Sequence, residues 1–170
     1  HVRNAAEAEA GVTLTGTAEA GASVAVTFQG ATRTVTADGT GAWSADFAAS
    51  EITGGEYDAP VTAVATDAAG NTASASSTLH IDTETSVTLN TARAKSDGIL
   101  NAEEIADGVT LSGSAEAGAS VAVTFQGQTK TVVADADGQW SVDYAPSEIA
   151  GGEYDAPISA TATDIYGNTA

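Results

Sequence analysis

The sequence contains no cysteine and no methionine, and only five basic residues stand against 23 acidic ones. Each shortage excludes something. Without cysteine there are no disulfides, no thiol nucleophile and no cysteine-type zinc site. With a formal net charge of −18, the chain has the wrong sign for phosphate, so nucleic acid is not an expected partner. An anionic membrane surface repels it for the same reason. No run of 18 apolar residues offers a bilayer span, so no membrane insertion is expected. The opening residues carry no signal-peptide pattern. Aromatic residues are few (three Phe, two Trp, four Tyr), yet 42% of the chain is hydrophobic, because Ala and Val supply most of that share. The acids are scattered singly rather than gathered into a tail. Folded, acidic, Ala-rich domains are therefore expected. Their self-repulsion calls for an offset, and a bound cation is the simplest.

The chain repeats itself. Gly11-Val12-Thr13-Leu14 returns as Gly108-Val109-Thr110-Leu111. The offset of 97 runs without a gap to the end, pairing Phe28 with Phe125, Trp43 with Trp140, Asp67 with Asp164 and Asn71 with Asn168. About two-thirds of the aligned pairs are identical, as in a tandem array. Such a period is too long for a solenoid unit and suits a self-sufficient domain of about 100 residues. The expected boundaries are 1–82, a first repeat lacking its first strand, and 83–170, a second lacking its last. Residues 85–97 have no counterpart in copy one, and the stretch after Ala73 has none in copy two. We expect a window from a longer array, with an unpaired edge in the second copy that frays or pairs with another molecule.

Within each copy the period is two. Residues 12–17 and 23–28 alternate apolar with polar. Further strands are expected over 32–36, 43–47, 57–66, 72–81 and 86–90, separated by turn material such as Asp38-Gly39-Thr40-Gly41 and Gly54-Gly55. Roughly seven or eight short strands per repeat predict an all-β fold of antiparallel sandwiches. The only helical signal is one short turn over 101–105. Trp43 and Trp140 read as core plugs, with Phe28 and Phe47 in the same layer. Tyr57 and Tyr154 open a long strand, where a hydroxyl often ties a sandwich corner.

Enzyme constellations are absent. His1 and His80 have no partner set for nucleophilic catalysis, and His80 has no counterpart in copy two. Paired carboxylates as in a glycosidase are conceivable only because acids are common here. No phosphate loop, dinucleotide glycine pattern or HExxH motif occurs.

Calcium chemistry fits better. In the run S-D-G-I-L-N-A-E-E at 96–104, Asp97, Gly98, the Ile99 carbonyl, Asn101 and Glu104 have the spacing of the second half of an EF-type loop. The first half fails, since Arg93 and Lys95 stand where oxygen ligands belong. Two readings remain: a half-site completed by acids from elsewhere, or an Asp-Gly turn followed by a helix cap with Glu. The second constellation is Asp67-Ala68-Ala69-Gly70-Asn71 and its copy Asp164-Ile165-Tyr166-Gly167-Asn168. A hairpin explains the Gly and Asn but not an Asp ending the preceding strand in both copies. One strand joins this loop to the linker 81–84, so Asp67, Asp82 and the Asp97 loop are expected to meet at a domain junction. Three carboxylates within about 6 Å repel by a few kcal/mol at an effective dielectric near 20, and a divalent cation reverses the sign. A third candidate, Asp135-Ala136-Asp137-Gly138 with Asp38-Gly39, reads as a plain turn.

The run G-V-T-L-T-G-T-A-E-A-G-A-S-V-A-V-T-F, followed by W-S-A-D-F and T-A-V-A-T-D-A-A-G-N-T-A, resembles the bacterial Ig-like repeats of giant secreted adhesins. That group includes RTX and biofilm-associated surface proteins and the extender repeats of ice adhesins. The resemblance implies tandem Ig-like sandwiches of Greek-key type in an extended array, type I secretion, and Ca2+ at domain junctions. By position it points to Asp67, Asp82, Asp97, Asn101, Glu104 and Asp164 as metal ligands, the Asp164 junction being incomplete.

The reading at this level is a non-enzymatic stalk module at the bacterial cell surface, supporting adhesion or biofilm formation. Its partners are neighbouring repeats and a surface or biofilm-matrix target. The alternative is a module that itself binds glycan, ice or its own kind. Thr13, Thr15 and Thr17 suggest such a face, and Ser112 and Ser114 in copy two weaken it.

Overall fold

The computed structural model describes residues 2–90 and 101–170. It divides into two compact units, 1–84 and 85–170, each with its own hydrophobic core.

The first unit runs β1 (Val2–Arg3), α1 (Ala5–Glu9), β2 (Val12–Thr17), β3 (Ser23–Phe28), β4 (Ala31–Thr36), β5 (Ala42–Phe47), β6 (Glu56–Thr66) and β7 (Thr72–Asp82). One sheet has the order β1-β7-β6-β3-β4, and β2 pairs with β5 in the other. The pairings β2–β5 and β3–β6 interleave along the chain, which makes the crossing connection of a Greek key. Alternation in β3 sends Val24, Val26 and Phe28 inward, where they meet Val12, Ala45 and Phe47 of the facing sheet. Phe28 and Phe47 pack edge to face at 5.4 Å. Gln29 and Gly30 both take positive φ, 50° and 77°, as the two-residue hairpin between β3 and β4 requires.

The second unit runs β8 (Val87–Asn90), α2 (Ala102–Asp107), β9 (Val109–Ala115), β10 (Ser120–Phe125), β11 (Gln128–Val133), β12 (Gln139–Tyr144) and β13 (Ile158–Thr163). Its sheets are β11-β10-β13 and β12-β9-β8. Phe125 and Tyr144 repeat the aromatic pair at 5.3 Å. The buried Tyr144 hydroxyl donates to the Val123 carbonyl at 2.7 Å, so the polar tip that Phe47 lacks is satisfied. Both units are all-β and Ig-like in topology, as the alternation required.

Three details differ from expectation. Asn4 caps a helix in the first unit as well, because N-x-x-E is a capping box in both copies: Asn4 accepts from the Glu7 amide while Glu7 accepts from the Asn4 amide. β13 is shorter than its counterpart β6. In the first unit β3 pairs only with residues 61–66, and the stretch 56–60 is held by β7 alone. In the second unit β10 pairs with Ile158–Thr163, and the other edge of β13 carries only the bridge Thr163–Thr169 among the described residues. Without a ladder partner, 153–157 are not strand. Finally, Tyr154 is 47% exposed rather than part of the core. Its hydroxyl still donates to the Ala150 carbonyl, as the Tyr57 hydroxyl donates to that of Thr53 at 2.5 Å, so the corner is tied in both units.

Candidate functional site

Asp67 and Asp164 directly follow β6 and β13 and hold the loops that begin there. Asp67 accepts from the amides of Ala69 and Asn71 at 2.8 Å each and from Asn71 Nδ2 at 2.7 Å. These donors, the Asn71 side chain foremost, hold its carboxyl below the ordinary 3.8. Asp164 takes the same bonds: Oδ1 from the amides of Tyr166, Gly167 and Asn168, Oδ2 from Asn168 Nδ2 at 2.6 Å. This is why an Asp ends the strand in both copies: it closes the turn. Asp164 and Asn168 are buried, whereas Asn71 is exposed.

Beside Asp164 stands Glu116, in the turn after β9. A carboxylate oxygen of each lies within 4.8 Å of the other. Two like charges at that separation repel by about 3 kcal/mol at an effective dielectric of 20. Two oxygens so spaced can both reach one calcium ion at about 2.3–2.6 Å. Asp164 Oδ2 accepts one hydrogen bond from Asn168 and has a second lone-pair site in the same plane. The donor set of hard oxygens thus fits calcium. Glu116 escapes a search for motifs, yet a signal existed: Glu19 and Glu116 occupy the same place in A-E-A-G-A-S. Glu19 and Asp67 line one cavity in the first unit.

Asp82 ends β7 and is buried, 1% exposed. It pairs across the ladder with Glu56, whereas Thr72, beside the Asp67 loop, pairs with Thr66. The expected meeting of Asp67 with Asp82 is therefore corrected. A strand of 11 residues lies between them, and at about 3.3 Å per residue its ends are more than 30 Å apart. One strand joining two loops places them at opposite ends. Asn101 and Glu104 are brought together, as a cap on α2. Asn101 Oδ1 accepts from the amides of Glu103 and Glu104 at 3.0 Å each, and Glu104 accepts from the Asn101 amide at 2.9 Å. Asp97 and His1 lie outside the described residues. Asp38 and Asp135 close their turns by accepting backbone amides, as a plain turn requires.

One repeated feature was not expected. Arg33 and Glu51 pair at 2.6 Å, and their counterparts Lys130 and Glu148 at 2.7 Å. Each cation also lies over an aromatic ring, Phe47 or Tyr144. Lys130, followed by the Ala145 amide, holds the Glu148 carboxyl below its ordinary 4.5. His80 pairs with Asp58 at 2.9 Å across the β6–β7 ladder, which gives it a structural partner. Among the described residues no helix is long and apolar enough to cross a membrane.

Two family models match, one in each unit: a bacterial Ig-like domain over residues 7–83 and a bacterial Ig domain over residues 100–170. The chain belongs to the bacterial Ig-like domains. Two solved structures are similar over 99% of it. One is of a 1.5-MDa bacterial ice-binding adhesin, concerned with its host cell surface retention, at 30% identity and a TM-score of 0.59, with 57% of that chain covered. The other is a Ca2+-stabilized adhesin that helps an Antarctic bacterium reach out and bind ice, at 34% identity and a TM-score of 0.54, with 43% of that chain covered. The chain thus spans about half the length of these structures. None of the curated proteins matches it.

Proposed function

We propose that this chain is a structural extender segment of a large bacterial cell-surface adhesin, and that calcium taken up by acidic side chains in and beside the linkers stiffens it. The observation that carries the reading is the carboxylate pair Asp164–Glu116, within 4.8 Å and with Asp164 buried. A cation removes the repulsion that such a pair otherwise imposes. The ligands proposed with it are Asp82 and, at the corresponding end of the first unit, Asp67. Asp97 is proposed from its place in the sequence, and Asn101 and Glu104 contribute by capping the helix after it. In this reading the module is secreted, its partners are neighbouring repeats, and adhesion or biofilm formation is the property of the whole protein. It performs no catalysis.

Extracellular calcium modules bind with a dissociation constant of about 10⁻⁴–10⁻³ M. At ten times that concentration one site adds about 1.4 kcal/mol. The test is a pair of melting curves and a scattering profile, in several millimolar calcium and then in excess chelator. Calcium is expected to raise the melting temperature and narrow the distribution of dimensions. Asp164→Asn combined with Glu116→Gln is expected to reduce the calcium response by the share of one site. Identical curves in calcium and chelator sink the reading.

A further inference from the structure

We propose that Arg33 and Lys130 guard the open side of each sandwich against strand addition, and that the partner they exclude is the matching edge of a second copy of this chain. β4 and β11 are the outermost strands of their sheets, and among the described residues neither has a ladder partner on its outer edge. β5 and β12, at the edge of the facing sheets, lie next to them without pairing. Such an edge offers unpaired amides and carbonyls to any extended segment. The sequences invite it. T-R-T-V-T-A at 32–37 and T-K-T-V-V-A at 129–134 are rich in β-branched residues and hold no proline, glycine or acid. Without its one cation each is an uncharged segment, and Val133 is 66% exposed. Repetition adds to the hazard. S-V-A-V-T-F-Q-G stands at 23–30 and again at 120–127, so the strand beside each edge is interchangeable with its copy, and strand exchange is a characteristic failure of repeat proteins.

The cations sit where a guest strand would cover them. Arg33 shares its face of β4 with Ala31 and Val35, and Lys130 shares its face of β11 with Val132, all of which pack on the cores. Each cation reaches from its own edge strand to the facing sheet, over Phe47 at 5.3 Å or over Tyr144 at 4.7 Å. Arg33 donates to both oxygens of Glu51, at 2.6 and 2.7 Å. Lys130 donates to Glu148 and to the Asp143 carbonyl, each at 2.7 Å, and so takes up a backbone acceptor of β12. The side chains of the two pairs are still between 24% and 41% exposed. An added strand would strip that water away, a loss that the attraction within an ion pair does not restore. Two like edges meeting would also bring their cations to neighbouring rungs, where like charges repel. Arginine serves in one unit and lysine in the other because an inward charge is what blocks an edge.

The guard can be removed without altering the net charge. Lys130→Met with Glu148→Gln leaves four basic residues against 22 acidic ones, still −18, and Arg33→Met with Glu51→Gln does the same. Each unit has its own core, so the two variants are independent. All measurements run in chelator, which keeps calcium and the function proposed above out of the outcome. In sedimentation equilibrium the native chain is expected to stay monomeric, and each variant that melts cooperatively to associate at least about tenfold more tightly, with a dissociation constant of about 1 mM or below. Amide exchange should slow with rising concentration in β11 of the first variant and in β4 of the second. Lys130→Arg, which copies the first unit, should stay monomeric. A lost stabilising contact alone would lower the melting temperature and leave the mass unchanged. A variant that folds and remains monomeric therefore overturns the proposal. So does association whose slowed amides lie outside the edge strands, and so does a Lys130→Arg chain that associates as the Met variant does.

Discussion

At the residue scale, most of the conspicuous acids turn out to organise backbone. Asp38, Asp67, Asp135 and Asp164 each accept amides of the turn they begin. Asn101 and Glu104 satisfy helix N-terminal donors that would otherwise be orphaned. Asn101→Ala should therefore cost about 1 kcal/mol in chemical denaturation, with the same loss in calcium and in chelator. A loss seen only in calcium would assign the side chain to the ion instead. The Lys130–Glu148 pair sets a pH dependence. Its folded carboxyl titrates below the ordinary 4.5, so its contribution is fully present above that value and fades as pH falls through the folded one. The gap in melting temperature between the native chain and Glu148→Gln should be open at pH 7 and close as the solution is acidified. A gap that widens below pH 4 (approximately the unfolded value) contradicts the assignment.

At the scale of elements, alternation is decisive where a strand has a ladder on both sides or a core on one face. β3 and β10 carry the same S-V-A-V-T-F and the same buried positions. They lie at the centre of their units, and removal of Phe28 or Phe125 to Ala should cost about 3–5 kcal/mol, read from denaturant midpoints. β6 and β13 have nearly the same sequence and different lengths, because a strand needs a partner for its backbone groups. Gly113 illustrates the same dependence, since a Cβ there would meet the Thr88 carbonyl oxygen of β8 at 1.9 Å. Gly113→Ala should release β8, lower the stability of the second unit by about 2 kcal/mol or more, and speed amide exchange in 87–90 and 112–115. Exchange rates unchanged at those sites would show that β8 tolerates the methyl.

At the scale of the whole chain, the excess of 18 negative charges is shared by two units whose cores are short of large side chains. Aromatic pairs supply much of the packing, and cation–carboxylate pairs at Arg33 and Lys130 use two of the five basic residues. The remaining repulsion is the reason the calcium response is expected to be large for so few sites. It should also depend on salt, since screening shortens the reach of exposed charges to about 10 Å at 0.1 M ionic strength. Raising sodium chloride to about 1 M in chelator is expected to recover only the exposed part of the calcium gain, because the buried Asp164 is screened little. Full recovery by sodium chloride would locate the effect in general charge screening.

The order of residues alone determined which stretches alternate as strands, the two-fold repetition, the glycine turns and the helix caps, because each depends on neighbours a few positions apart: pleat alternation, Gly at positive φ, and N-x-x-E spacing. Tertiary structure alone decided where those pieces come together. Asp67 and Asp82 are only 15 positions apart in sequence but stand at opposite ends of β7. Asp164 and Glu116 are 48 apart and bring carboxylate oxygens within 4.8 Å of each other, because β9 and β13 belong to facing sheets whose turns converge. Local rules carry no information about distance across a sandwich, and a carboxylate pair acquires its chemistry only from that distance.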